Sequence, residues 1–255
     1  MIVINCAQGS EQWHKARSGV VTASMFKVAR EKTGMLTDQQ QKYVDAIRRG
    51  LSPAAACTEA GYKKSPTSDA IVRALDGEVV GAPSEAACNY AFKVAIERIS
   101  GEPLDEGFQT WQMKRGNDLE PDARMHHELT ANIMVVRAGF VMTDDGKFGG
   151  SADGLIGDDE GSEYKCLVSP KELREVLMND DISEYIDQIQ GCLWLTGRKR
   201  WHFCMYCPAL APIGRHLYWR VVDRDDAYIE SLESDLIAFE RMVSDYERGL
   251  RLKAA

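Results

Sequence analysis

Apolar residues recur with two different periods along this chain, and the two periods predict both helices and strands. A repeat of three to four residues, typical of an amphipathic helix, runs through residues 84–99 and through the tail at 225–250. Short apolar or alternating runs, typical of strands, lie at 133–141, 148–152, 201–207 and 216–222. Strands flanked by helices predict an α/β fold with a central mixed sheet.

Residues from about 35 to 80 form a separate helical pattern within this α/β arrangement. Its three predicted helices begin at Thr37, Ser52-Pro53 and Ser65-Pro66 and end at Gly50, Gly61 and Gly77. Its basic residues are Lys42, Arg48, Arg49, Lys63, Lys64 and Arg73. The stretch from Gly50 to Tyr62 is similar to the helix-turn-helix units of phage terminase small subunits. The segment therefore either contacts duplex DNA or is a structural or partner-facing addition.

The strongest chemical signal is a predicted β-hairpin that carries Asp153, Glu163 and Lys165. Side chains two residues apart on a strand share a face, so Glu163 and Lys165 point together and leave the Tyr164 carbonyl free. A three-residue loop with Gly161 in the left-handed conformation would place Asp153 opposite Lys165. Two carboxylates and a lysine can hold Mg²⁺ and activate a water beside a phosphodiester. A solvated acidic hairpin with a surface Glu–Lys pair is the alternative.

A second carboxylate segment lies upstream of this hairpin. Its sequence predicts a helix that begins at Asn117 or Asp118, with Pro121 in the first turn. Glu120 then lies near the helix start, where the helix dipole favours a carboxylate. The interpretation remains open between an acid that joins the hairpin carboxylates and an ordinary first-turn acid.

A polar stripe on the helix after the hairpin adds an amide to the candidate site. The helix is predicted between Ser183, as its cap, and Gly197, as its stop. Tyr185, Gln188 and Cys192 lie on one stripe of that helix. Gln188 can therefore reach a reacting water, unless this stripe faces solvent.

The N-terminal segment contains a candidate phosphate pocket. A short helix is predicted to end at Gly19, and a second helix begins near Ala23 and Ser24. Arg17 and Ser24 would then lie close to a helix N-terminus. A guanidinium, a hydroxyl and free backbone N–H groups together suit a phosphate. Taken alone, Arg17 would more often be a surface residue.

Composition restricts the class of protein. The chain has 255 residues, 44% of them hydrophobic, which supports a sizeable core and one domain with an insertion. The net charge of −8 argues against a general nucleic-acid binder but permits a local basic track. No stretch of 18 apolar residues and no secretory signal are found, so no membrane contact is expected. Seven scattered cysteines suit a reducing cytoplasm, with Cys204 and Cys207 expected as free thiols.

Taken in order, these segments resemble the bacteriophage lambda exonuclease family, also called YqaJ-type viral recombinases. The resemblance covers most of the chain outside about 33–83. The matching stretches are Trp13–Ser24, Gly116–Arg124, Ser151–Leu155, Glu163–Cys166 and Asp187–Thr196. A single motif of this kind is weak, but their common order is specific.

The resemblance implies a restriction-endonuclease-like fold with a P-D-(D/E)-x-K core, although Ala152 stands where the family's name has proline. It implies Mg²⁺-dependent digestion of duplex DNA from a 5′-phosphorylated end, which releases mononucleotides and leaves a 3′ single strand. The implied metal ligands, for two Mg²⁺ ions that Mn²⁺ can replace, are Asp153, Glu163 and the Tyr164 carbonyl, with Glu120 nearby. Lys165 and Gln188 would position or activate the water.

The resemblance also implies how the protein meets its substrate and partners. Arg17 and Ser24 would bind the terminal 5′-phosphate, with Arg30 or Lys32 as a second cation. A homotrimeric ring, a single-strand annealing protein as partner and the cytoplasm of a bacterial host are expected. Two other functions remain open, namely an endonuclease with the same core and a DNA-end-binding or packaging adaptor without nuclease activity.

Overall fold

The computed structural model describes residues 1–104, 111–166 and 169–253. In this part of the chain the α-helices are α1 Glu11–Arg17, α2 Phe26–Ala29, α3 Asp38–Arg48, α4 Pro53–Ala60, α5 Asp69–Leu75, α6 Glu85–Ser100, α7 Trp111–Ala131, α8 Pro170–Asn179, α9 Ile186–Thr196 and α10 Asp226–Lys253. The strands are β1 Ile2–Ile4, β2 Val21–Thr22, β3 Lys32–Thr33, β4 Ala82–Pro83, β5 Phe140–Met142, β6 Phe148–Ser151, β7 Gly154–Ile156, β8 Glu160–Cys166, β9 Arg200–Tyr206 and β10 Leu217–Asp223.

Two four-stranded mixed sheets take the place of the single central sheet that the sequence predicted. Their strand orders are β1-β5-β6-β2 and β10-β9-β8-β7. Each contains one parallel pair, β2 with β6 and β8 with β9, among antiparallel neighbours. Only Ala152 and Asp153 separate β6 of the first sheet from β7 of the second. The predicted mixed α/β fold is confirmed, and the chain changes sheets at Asp153.

Contacts divide the chain into two compact units, of which the larger comprises residues 1–29 and 90–255. Its core contains the fully buried side chains of Trp201 and Phe203 from β9 and Leu193 from α9. The apolar repeat of the tail forms α10 as predicted, and Leu232 and Leu236 lie on its fully buried face. Burial of these large apolar side chains is the main contribution to the stability of this unit.

The smaller unit comprises Arg30–Asn89 and contains α3, α4 and α5. Thr37 forms a reciprocal capping box with Gln40, and Ser52 caps α4, as the sequence predicted. The third helix differs from the prediction, because α5 begins at Asp69 and not at Ser65-Pro66. The core residues of this unit are Tyr43, Val44, Ala46, Ala56, Cys57, Ala60, Ile71 and Ala74.

The charges of the smaller unit are balanced, although part of its sequence looked basic. Residues 30–89 contain eight Lys and Arg and eight Asp and Glu. Arg49 pairs with Glu59 and Arg73 pairs with Glu78. Internal pairs of this kind reduce the positive charge available to phosphates, so DNA contact by this unit stays a prediction without electrostatic support.

Candidate active site

Strand β8 presents Glu163 and Lys165 on one face, where α9 supplies Gln188. The Lys165 Nζ donates to Glu163 Oε1 at 2.7 Å and to Gln188 Oε1 at 2.9 Å. The Gln188 Nε2 donates to Glu163 Oε1 at 2.6 Å. A 3₁₀ turn, Ser183–Tyr185, precedes α9, so Ser183 is not the cap of the α-helix as predicted. The structure nevertheless brings the three predicted side chains into one hydrogen-bonded triangle.

The turn between β7 and β8 lies earlier in the sequence than predicted. The three turn residues are Gly157–Asp159, and Gly157 has the left-handed conformation with φ of 51°. Gly161 instead lies inside β8, where a Cβ atom would come within 2.3 Å of the Trp201 ring. The prediction assigned Gly161 to the turn because close packing and a positive φ both favour glycine.

This earlier turn places Asp153 opposite Glu163, and not opposite Lys165 as predicted. The ladder between β7 and β8 gives this register when it is extended by one residue. The Tyr164 backbone N–H donates to Asp153 Oδ2 at 2.8 Å. A shift of two residues keeps side chains on the same face, so the expected clustering of the two carboxylates survives the wrong register.

The carboxylates of this cluster are buried and repel one another. Asp153 is 8% exposed and Glu163 is 4% exposed. Burial raises the pKa of Asp153 well above its usual range, and the charges of Glu163 and Glu120 add to this effect. Burial alone would lower the pKa of Lys165, but the Glu163 charge and hydrogen bond outweigh it and raise the pKa. Lys165 is therefore a cationic donor.

The donors at this site fit a magnesium ion. In the described residues, Glu163 Oε2 is buried and has no hydrogen-bond partner. The Asp153 and Glu163 carboxylates and the Tyr164 carbonyl are hard oxygen donors, and a divalent cation beside them would offset their charge. No cluster of three or more His, Cys, Asp or Glu side chains able to hold a metal occurs in that part of the chain. The fit therefore rests on two carboxylates and a carbonyl. This small number of protein ligands suits Mg²⁺, because Mg²⁺ usually keeps several waters.

Glu120 lies within electrostatic reach of the cluster but not at a helix start. It lies in the middle of α7, which begins at Trp111, and Pro121 lies inside the helix. The prediction of a start at Asn117 or Asp118 was wrong because proline favours a first turn yet is tolerated within this longer helix. Burial raises the pKa of Glu120, although the charges of Arg137 and Arg124 lower it in part. The Glu163 charge raises the pKa of Glu120 further.

Arg17 lies at the end of α1 and is held by a tryptophan. Its guanidinium lies 4.1 Å from the centroid of the Trp13 ring, a cation–π distance. The Trp13 Nε1 donates to Ser151 Oγ at 2.7 Å, two residues before Asp153. Burial lowers the pKa of Arg17, and the charges of Tyr90, Glu97 and then Glu163 oppose that shift. Trp13 therefore ties the predicted phosphate-binding arginine to the strand that leads to Asp153.

The other predicted phosphate ligands are Ser24 and either Arg30 or Lys32. Ser24 is exposed on the 3₁₀ turn Ala23–Met25, and its Oγ lies 3.3 Å from Thr22 Oγ1. Arg30 and Lys32 belong to the smaller unit. The choice between them as a second phosphate ligand stays a prediction.

Two side chains at the site were missed by reasoning from the sequence. Gln8 Nε2 donates to Asp153 Oδ1 at 3.2 Å across 145 positions of sequence, and no local pattern indicates this contact. His127 lies behind β8 with its Nδ1 3.0 Å from the Tyr164 hydroxyl. Burial, and then the neighbouring His202, lowers the pKa of His127 to about 4, so its imidazole is neutral. The adjacent His126 instead packs against the rings of Tyr206 and His216.

No described helix combines the length and apolarity that a membrane span requires.

Comparison with curated proteins gives no significant match. Among solved structures, the chain is similar to an alkaline exonuclease, LHK-Exo, from Laribacter hongkongensis, with 24% identity, a TM-score of 0.68 and coverage of 96% of this chain and 98% of that one. The same exonuclease in complex with dAMP gives 23% identity, the same coverage and a TM-score of 0.68.

A phage-related exonuclease from Haemophilus somnus 129PT is 14% identical, with a TM-score of 0.56 and coverage of 92% of this chain and 96% of that one. These likenesses support the restriction-endonuclease-like fold. A family model described as the YqaJ-like viral recombinase domain matches residues 12–199, which is more than half of the chain. Together with the ordered motifs and the Asp153–Glu163–Lys165–Gln188 geometry, this match shows that the chain belongs to the YqaJ-like viral recombinase family.

Proposed function

We propose that the protein is a Mg²⁺-dependent 5′→3′ exonuclease that digests the 5′-phosphorylated strand of duplex DNA to mononucleotides. The product is a 3′ single strand for phage-type recombination. One observation carries the proposal: the buried Glu163 carboxylate accepts from Lys165 and Gln188, and its Oε2 has no partner among the described residues. The buried Asp153 carboxylate lies on the neighbouring strand and accepts from the Tyr164 backbone N–H. Hard oxygen donors beside an ammonium suit hydrolysis of a phosphodiester.

Each side chain has a separate task in this reaction. Bound Mg²⁺ would lower the pKa of a water and offset charge on the leaving oxygen. The Asp153 and Glu163 carboxylates and the neutral Tyr164 carbonyl would hold it through their oxygens, with Glu120 nearby. Lys165 and Gln188, already hydrogen-bonded to each other, orient the water by donating and accepting at fixed positions. The Lys165 ammonium also stabilises charge on the attacked phosphate, because a preformed donor needs little reorganisation.

Selection of a DNA end is assigned to Arg17 and Ser24. The Trp13 ring and the Trp13–Ser151 hydrogen bond limit the positions that the Arg17 guanidinium can take. A fixed guanidinium is well suited to two oxygens of one phosphate, and an internal phosphodiester offers fewer free oxygens than a terminal phosphate. Arg17 therefore favours cleavage that starts at a 5′-phosphorylated end.

The wider setting follows from the family resemblance. We expect a homotrimeric ring around the DNA, a single-strand annealing protein that loads on the new 3′ strand, and the cytoplasm of a bacterial host. A ring would reconcile the net charge of −8 with DNA binding, because positive charge can line the channel while negative charge lies outside. The mass of the assembly in solution tests the trimer directly.

Digestion of linear duplex DNA in Mg²⁺ tests the proposed function. Three substrates are compared: duplex with 5′-phosphate ends, the same duplex with 5′-hydroxyl ends, and a covalently closed circle. We expect mononucleotides from the phosphorylated 5′ strand and an intact circle. Nicked circles would indicate an endonuclease with the same core. Tight DNA binding without any Mg²⁺-dependent product would indicate the DNA-end-binding or packaging adaptor.

Replacing Arg17 should weaken the preference for phosphorylated ends. For Arg17→Met we expect kcat/KM on 5′-phosphate DNA to fall by about 10- to 100-fold, since a charge-assisted hydrogen bond contributes roughly 1.5–3 kcal/mol. On 5′-hydroxyl DNA the loss should be much smaller, because no terminal phosphate is present. Initial rates on both substrates, for both proteins, give the coupling between Arg17 and the phosphate.

The matched control is Lys15→Met on the same helix. Lys15 is exposed and pairs with Glu102 at 3.6 Å, where its side chain is 67% exposed. This control should leave the ratio of rates on the two substrates unchanged. Equal losses on both substrates for Arg17→Met would remove Arg17 from end recognition.

A further inference from the structure

A chain of hydrogen bonds runs behind the candidate active site, on the face of β8 opposite its carboxylate and lysine. The Tyr164 hydroxyl lies 3.0 Å from His127 Nδ1, and His127 Nε2 lies 3.0 Å from His202 Nδ1. The His202 Nε2 lies 2.7 Å from Glu160 Oε2. These four residues, from α7, β8 and β9, are called the Tyr164–Glu160 chain below.

The chain has one consistent direction when both imidazoles are neutral. The Glu160 carboxylate also pairs with Arg200, and it accepts from His202 Nε2–H. A neutral imidazole carries one N–H, so His202 Nδ1 accepts from His127 Nε2–H. His127 Nδ1 then accepts from the Tyr164 hydroxyl. All four imidazole nitrogens of His127 and His202 therefore take part in a hydrogen bond. Each member of the Tyr164–Glu160 chain fixes the tautomer of the next.

The chain is enclosed, so water cannot readily replace a missing member. His127 is fully buried and His202 is 4% exposed. The Trp219 ring stacks on His202 with centroids 5.5 Å apart and an interplanar angle of 17°. A buried donor or acceptor that loses its partner stays unsatisfied, so loss of His127 would allow Tyr164 and His202 to shift.

Tyr164 connects this chain to the metal-binding groups. Its backbone N–H donates to Asp153 Oδ2 at 2.8 Å, and its carbonyl belongs to the proposed ligand set. His127 lies on α7 seven residues after Glu120, which places both on the same side of that helix. The hydroxyl–imidazole contact therefore fixes α7, with Glu120, against the strand that carries Glu163.

We propose that His127 is a positioning residue, which acts through Tyr164 to hold the carboxylates and the Tyr164 carbonyl in the arrangement that binds a divalent metal. The inference rests on the proposed function, because that function requires a divalent metal at these residues. Partners behind the ligands of a metal site typically change metal affinity by about 10- to 100-fold when they are removed.

Metal binding to the DNA-free protein tests the proposal without any measurement of activity. Mn²⁺ alone is the probe, since it accepts the same oxygen donors and its free concentration can be read from its EPR signal. We expect His127→Leu to raise the Mn²⁺ Kd by about 10- to 100-fold. His127→Gln should recover much of the affinity, because an amide can accept from Tyr164 and donate to His202.

The matched control is Val243→Ala, which removes two methyl groups from a fully buried side chain of α10. It should lower stability and leave the Mn²⁺ Kd unchanged, so a general loss of stability is separated from positioning. An unchanged Kd in His127→Leu, or an equal loss of affinity in Val243→Ala, would overturn the proposal. If His127→Leu does not fold, Tyr164→Phe replaces it, since it keeps the ring and carbonyl but removes the hydroxyl; an unchanged Kd there would also overturn the proposal.

The unmodified protein separates this inference from the proposed function. Mn²⁺ binding that depends on His127, without DNA cleavage, would support the inference and overturn the proposed function. Cleavage and Mn²⁺ binding that are both independent of His127 would overturn the inference alone. No Mn²⁺ binding by the unmodified protein would overturn both.

Discussion

Asp153→Asn should reduce the rate of DNA cleavage by about a thousandfold or more while DNA binding is retained. Asparagine keeps the size of the side chain and can still accept from the Tyr164 N–H, so the fold around β7 should persist. It removes one of the two buried carboxylates that we propose as metal ligands, and metal catalysis contributes several kcal/mol, where each 1.36 kcal/mol corresponds to about tenfold in rate. Single-turnover digestion of 5′-phosphorylated duplex measures the effect.

Asp158→Asn is the matched control for this variant. Asp158 is exposed in the turn of the same hairpin, so the substitution makes the same chemical change outside the cluster. Its cleavage rate should equal that of the unmodified protein. DNA binding in the absence of metal should be equal or tighter in Asp153→Asn, because a negative charge near the phosphates is removed. Mg²⁺-dependent turnover at the normal rate in Asp153→Asn would exclude Asp153 as a ligand.

Arg98→Met should cost about 3–5 kcal/mol of the free energy of unfolding of the larger unit. Arg98 donates through both terminal nitrogens to the Glu240 carboxylate at 2.8 and 2.9 Å, and through Nε to the Gly19 carbonyl at 2.8 Å. The Arg98 and Glu240 side chains are 17% and 8% exposed. Methionine preserves the apolar contacts but leaves a buried carboxylate without its principal partner, which is the costly outcome for a buried ion pair.

Urea unfolding followed by tryptophan fluorescence measures this effect. All five tryptophans lie within residues 1–29 and 90–255, so the signal reports the larger unit. Arg248→Met is the control, because its pair with Asp245 is 72% and 65% exposed and should contribute less than about 1 kcal/mol. The double variant Arg98→Met with Glu240→Leu should recover part of the loss, since it removes the unpaired charge. A cost for Arg98→Met no larger than that of the control would show that Lys147, 3.5 Å from Glu240, compensates fully.

The Arg98 contacts also lie next to the predicted phosphate-binding arginine, Arg17. Gly19 follows Arg17 by two residues. Its carbonyl accepts from Arg98 Nε, and its N–H donates to Glu97 at 2.9 Å. A loosened turn would therefore also weaken the preference for 5′-phosphate ends. Stability and end recognition are expected to change together in Arg98→Met, whereas Arg17→Met should change end recognition alone.

Local sequence patterns predicted the side chains that meet at the candidate site better than their exact pairing. The alternation of β8 determines that Glu163 and Lys165 share a face, and the structure joins both to Gln188. The register with Asp153 was wrong by two residues, because two glycines compete for the turn and only Trp201, 40 residues downstream of Gly161, decides between them. The parity of a strand is local information, whereas its register is not.

Helix boundaries show the same division between local and distant causes. The capping signals at Thr37 and Ser52 acted as predicted, since a cap satisfies backbone N–H groups only two or three residues away. Pro121 gave a false start for α7 because packing of a long helix against β8 and β9 can offset the lost hydrogen bond of one proline.

The sequence by itself determined the family and the mixed α/β class, and it predicted the residues that we propose to carry the chemistry, because motifs and strand alternation are properties of neighbouring residues. Only the tertiary structure decided that the sheet is split at Asp153, that Trp13 anchors Arg17 to Ser151, and that a histidine chain supports Tyr164. These features join residues separated by up to 138 positions. Such contacts depend on how buried faces pack, and no period of two or 3.6 residues encodes them.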